Sequence, residues 1–153
     1  MDTIKLIRDR AVFASLIYSK KCEVLEAIIR CEAHYLGLPE IKVEFEKLDD
    51  EIAGQSDCTT NTITINEKVV KKGKTEKLLE TCCHESRHIF QGMMCSIYRE
   101  ISPEQRNLQV FTKEDVAGWV LNYENYIEDG IHYELQPLEA DAREYAYSRV
   151  LEY

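Results

Sequence analysis

No stretch of this chain approaches the ~18 consecutive apolar residues of a membrane-spanning helix, and it holds no internal repeat and no low-complexity segment. These absences argue against a membrane-embedded protein and against a repeat architecture. Positive charge is also scarce. The net charge is −9, and residues 99–153 carry five Lys or Arg against twelve Asp or Glu, which opposes nucleic acid and anionic membrane surfaces as partners. No helix-turn-helix signal offsets that balance. The apolar run Ala11 to Tyr18 follows Arg8-Asp9-Arg10 but is short and lacks a small-residue cleavage site, so it reads as helix rather than as an export signal. The six cysteines (Cys22, Cys31, Cys58, Cys82, Cys83, Cys95) form neither a disulfide framework nor a Cys-x-x-Cys metal motif. A reduced, cytoplasmic protein is the simplest account of them.

What is present fits one soluble domain over residues 1–153, with 44% hydrophobic residues to build a core. Helical spacing of Ile4, Ile7, Ala11, Ala14, Tyr18, Cys22, Leu25, Ile28 and Ile29 runs to about Leu36, where Gly37 and Pro39 stop it. It fits one long helix or two that break near Ser19-Lys20-Lys21. From Ile41 the period becomes two, with Val43 and Phe45 alternating against charged residues. A weaker strand, Ile52 to Asp57, and a third, Thr62 to Asn66, complete a small sheet expected to be mainly antiparallel. Lys68 to Lys74 reads as a basic linker. Thr112-Lys113-Glu114-Asp115 resembles a helix N-cap with an acidic third position, followed by Val116, Trp119, Val120, Tyr123 and Ile127 at helical spacing up to Gly130. Pro137 opens a final helix. The expected class is α+β.

His84-Glu85-Ser86-Arg87-His88 carries the chemistry. Two imidazoles one helical turn apart face the same way and can share a metal ion, with Glu85 beside a water on that metal. Between Lys74 and Tyr98, Leu78, Leu79, Cys82, Cys83, Ile89, Phe90, Met93, Met94 and Ile97 fill one arc of the helix, which suits Cys82 and Cys83 as small buried hydrophobes. His84 and His88 fall opposite, with Thr81 and Cys95, and Cys95 is expected near a cleft. That wheel alone fits a metal pair and two solvated histidines equally well. The carboxylate next to the first histidine is what favours metal.

Hydrolytic zinc usually keeps three protein ligands and an open position, so the histidines need a third, and the candidates after the motif are His132, Glu134, Glu139, Asp141 and Glu144. Glu139 is in phase with Ala142, Ala146 and Val150, an inward stripe on which a charge wants a compensating partner. Its competing role is to favour the helix dipole near the first turn. Asp141 shares a face with Ser148 and Glu152 and reads as solvated, and Arg87 as facing solvent or an acidic neighbour.

The motif followed by Gln136-Pro137-Leu138-Glu139-Ala140-Asp141-Ala142-Arg143-Glu144-Tyr145-Ala146 resembles the gluzincin zinc metallopeptidases, specifically their small forms and ImmA/IrrE-type relatives. The resemblance covers roughly Ser19 to Val150. It implies a zincin-like arrangement of N-terminal helix, short sheet, metal helix and C-terminal ligand helix, with Glu139 as the third ligand. One position departs: larger gluzincins carry an Asp four residues after the glutamate ligand to hold a histidine, and here Arg143 stands there. The partner that orients His84 or His88 is therefore open.

The function expected is zinc-dependent hydrolysis of a peptide bond in a peptide or protein substrate. His84, His88 and Glu139 hold Zn²⁺, and Glu85 acts as general base on the zinc-held water. Tyr123, Tyr126, His132 and Tyr133 are the candidate oxyanion or substrate donors. The strand residues Thr62, Ile63, Thr64 and Ile65 are expected to offer a free edge to an extended substrate. Two alternatives remain: a non-catalytic, metal-braced interaction protein, and a regulatory protease acting on one specific partner protein.

Overall fold

The computed structural model describes residues 3–153. The N-terminal helical pattern resolves into three helices, α1 (Lys5–Arg8), α2 (Arg10–Ser15) and α3 (Tyr18–Leu36). The first break falls at Asp9, whose carboxylate caps α2 by accepting the Ala11 and Val12 N–H groups. A second lies at Leu16 and Ile17, which are extended, ahead of the Ser19-Lys20-Lys21 position. Gly37 ends α3 with φ of 69°, and the Leu38 N–H reaches back to the Ala33 carbonyl at 2.8 Å. That closure needs a left-handed residue, which glycine supplies without a Cβ clash.

Strands β1 (Lys42–Glu46), β2 (Gly54–Asp57) and β3 (Thr62–Asn66) form one sheet in the order β1-β3-β2. It is mixed rather than mainly antiparallel. The β2–β3 hairpin is antiparallel, whereas β1 pairs parallel with β3, Val43 opposite Ile63 and Phe45 opposite Ile65. The hairpin inserts β3 between its neighbours, so Thr62, Ile63, Thr64 and Ile65 are hydrogen-bonded on both sides and offer no free edge. The free edges of the sheet belong to β1 and β2. Ile63 and Ile65 are fully buried and anchor the sheet to the helices.

The expected linker after β3 is a helix, α4 (Glu67–Lys72), because the Asn66 carboxamide accepts the Lys68 N–H and Val70 is fully buried. Helix α5 (Thr75–Glu100) runs through the middle of the molecule. Its first half packs in a cluster with Val24, Leu25, Ile28, Ile29, Ile63 and Ile65. Met94 and Cys95 join a second cluster with Phe111, Val116, Trp119 and Leu138. Gly92 lets the β2–β3 turn approach α5, since a Cβ there would lie 2.5 Å from Cys58 Sγ.

Next come α6 (Gln109–Thr112) and α7 (Val116–Glu124). The expected cap at Thr112 is not formed. Thr112 ends α6, Asp115 precedes α7 with φ of 52°, and Glu114 turns to Arg87 instead. Helix α8 (Pro137–Val150) begins at the expected proline and packs along α5. Between α7 and α8 the Gln136 carboxamide accepts the Ile127 N–H at 3.0 Å and donates to the Ile127 carbonyl at 2.8 Å, closing the intervening loop at its neck. Among the described residues no helix is long and apolar enough to cross a membrane.

Candidate metal centre

The i, i+4 spacing on α5 sets the rings of His84 and His88 edge to face, with Nε2 atoms 3.0 Å apart. From α8, Glu139 brings Oε2 to 3.1 Å from His84 Nε2 and Oε1 to 3.3 Å from His88 Nε2. Tetrahedral coordination at zinc–ligand bonds of about 2.1 Å separates donor atoms by roughly 3.4 Å. The three side chains therefore already stand near the spacing of one shared cation. His84, His88 and Glu139 form a group that can hold a metal ion, as the sequence pattern predicts.

Electrostatics favour a cation there. Burial opposes ionisation of Glu139, but hydrogen bonds from His84, His88 and Tyr126 overcome it and hold its carboxyl well below the usual carboxylate range. Burial likewise disfavours an imidazolium at His88. Its hydrogen bond with Glu139 and the nearby Glu85 outweigh that and lift its pKa to about 9. Both shifts mark a point at which positive charge is favoured.

Around the triad, Tyr126 donates its hydroxyl to Glu139 Oε1 at 2.6 Å, and the hydroxyls of Tyr126 and Tyr133 lie 3.4 Å apart. Of the four side chains expected as donors these two reach the site. Tyr123 does not: it contacts Cys58, next to Gly92, one turn beyond His88. His132 is exposed and precedes the short turn Tyr133–Leu135, outside the cleft. The cleft itself, about 480 Å³, is lined by Gly54 of β2, Thr81, His84, Glu85, Tyr133, Glu139, Arg143 and Tyr147, among others. Glu85 is mostly buried, on the cleft wall beside His84. Cys95 is fully buried in the second apolar cluster rather than at the cleft. All six cysteines are free, and burial raises the pKa of the Cys82 and Cys83 thiols, as suits small core side chains.

A ring of polar groups missed in the sequence surrounds His88. Its Nδ1 lies 2.8 Å from Gln91 Oε1, while Gln91 Nε2 donates to the Leu138 carbonyl at 3.0 Å and to Asp141 Oδ2 at 2.7 Å. Arg87 grips Asp141 with two donors and Glu114 with one, and its guanidinium lies within 5.3 Å of the ring centroids of Phe90, Trp119 and Tyr145. Asp141 is thus a partner of buried groups, not a solvated acid, and Arg87 faces two acids rather than solvent. Arg143, at the departing position, donates to the Glu134 carbonyl on the cleft rim instead of to a group that orients a histidine.

A second buried acid was also missed. Glu32 of α3 is fully buried and accepts hydrogen bonds from Arg149, Tyr145 and Tyr153. The signal was available, since Glu32 continues the buried Leu25, Ile28, Ile29 stripe and its three donors are spaced by four.

Compared with family models, with curated proteins and with solved structures, the chain finds no match. The candidate metal centre rests on its own geometry.

Proposed function

We propose that the protein is a zinc-dependent peptide hydrolase of the gluzincin kind, acting on a peptide or protein substrate. The observation that carries this reading is the convergence of two imidazole nitrogens and one carboxylate on one point, with His84, Glu85 and Glu139 lining an open cleft. Two nitrogen donors and one oxygen suit zinc, whereas magnesium and calcium favour all-oxygen sites. Bound there, zinc supplies Lewis acidity towards a water and a substrate carbonyl.

The chain's own groups do the rest. Glu85 takes the proton of the attacking water and returns it to the departing amine. Tyr133, on the cleft wall, donates to a carbonyl oxygen that gains charge, while Tyr126 holds Glu139 Oε1. An extended substrate pairs with the free edge of β2, whose first residue, Gly54, lines the cleft.

The alternative, a metal that merely braces α5 to α8 while another surface binds a partner, draws on the same bridging position of the triad. Glu85 separates the two. Zinc-loaded protein incubated with a mixed peptide library, read by mass spectrometry, is expected to cleave, and Glu85→Gln to slow cleavage by about 10²- to 10⁴-fold with zinc content unchanged. Undiminished cleavage by the variant removes Glu85 as the base. Tight zinc with no cleavage by the native chain favours the brace.

A further inference from the structure

The geometry points to Gln91 as the positioning residue that fixes which nitrogen of His88 is offered to a metal. This rests on the metal reading of the triad. Gln91 is fully buried, and its carboxamide has only one workable orientation. The Leu138 carbonyl and Asp141 Oδ2 are both acceptors, so the atom facing them must be the NH₂ group, and Oε1 is left towards His88 Nδ1 at 2.8 Å. Asp141 cannot turn to relax this, because Arg87 holds both of its oxygens, Nε to Oδ2 at 2.8 Å and Nη2 to Oδ1 at 3.1 Å.

An acceptor facing Nδ1 requires a proton on Nδ1. In neutral His88 the lone pair is therefore on Nε2, the atom 3.0 Å from His84 Nε2 and 3.3 Å from Glu139 Oε1. The opposite tautomer would set two lone pairs against each other in a buried site. The series Arg87, Asp141, Gln91, His88 thus does the work that the resemblance would have given to the position of Arg143, with Gln91, the group facing His88, on the same helix. It also ties His88 to α8, the helix that brings Glu139.

Two measurements on the full chain test this. In zinc-loaded protein, proton–nitrogen NMR of the imidazoles is expected to show a slowly exchanging Nδ1 proton on His88. Gln91→Met, similar in size but unable to accept, is expected to lose that protection and to weaken zinc binding by about 10- to 100-fold in competition with a chelator. A folded variant with native zinc affinity overturns the assignment while leaving the triad intact. A native protein that takes up no zinc overturns both. Should the variant fail to fold, the native spectrum decides: an unprotected His88 Nδ1 proton overturns the assignment, and a protected one supports it.

Discussion

Two buried carboxylates hold α8 in place, and they are compensated in opposite ways. Glu32 sits among Arg149, Tyr145 and Tyr153, all donors, one of them a permanent cation. Glu139 also receives a tyrosine hydroxyl, but its other partners are the imidazoles of His84 and His88, groups able to ligate a metal, and His84 lines a cleft. Burial beside a fixed arginine makes an acid a structural anchor. Burial beside exchangeable bases makes it a receptor for a cation. The difference lies in the partners, because the two acids are similarly hidden at 0% and 2% exposure.

The contrast can be broken from either side. Glu32→Ala leaves the Arg149 guanidinium without its acid and is expected to cost about 3–5 kcal/mol of stability, read by chemical denaturation, with zinc affinity of the folded fraction unchanged. Glu139→Ala is expected to do the reverse. Zinc affinity should fall by more than the ~100-fold typical of losing an outer partner, with a much smaller change in the metal-free denaturation midpoint. If both variants lose stability and zinc together, the two acids form one unit and the contrast fails.

A gentler probe is pH. The folded pKa of His88, about 9, lies above its ordinary 6.5, so zinc must displace a proton at neutral pH. Affinity is expected to rise about tenfold per pH unit up to about pH 9 and then level, and calorimetry in buffers of different protonation enthalpy should count the released proton. For the metal-free protein the sign runs the other way. The stability that His88 contributes is fully present below pH 6.5 and is lost as pH rises through 9. The smallest expected effects are those of the tyrosines. Tyr126→Phe should weaken zinc by about tenfold, whereas Tyr145→Phe should cost about 1 kcal/mol of stability and leave zinc alone.

Local signals in the sequence located the triad. A turn of helix puts His84 beside His88, and the phase of Glu139 with Ala142 and Ala146 turned it inward, where it is found. Pro137 marked the start of α8 to the residue. What escaped was set by contacts between distant segments. Alternation in Thr62 to Asn66 tells which face is buried but not which strands lie on either side, and β3 proves to be the central strand rather than an edge. The wheel of α5 assumed one wet face, yet the α3, α7, α8 and β2 segments surround the helix and bury Ser86, Arg87 and Gln91 as well. Arg87 and Gln91 find Glu114 and Asp141, acids 27 to 54 residues further along the chain that no helix wheel reveals.

The neck that Gln136 makes with Ile127 has a consequence for engineering and for divergence. Tyr126 and Tyr133 are held at either end of a loop whose far point, around Gly130 with φ of 89°, carries an 87% exposed Ile131. With its base clamped, added length at that tip costs only the slow logarithmic growth of loop entropy. Graft sites, reporter tags or whole inserted modules can be hung there while the hydroxyls below keep their positions.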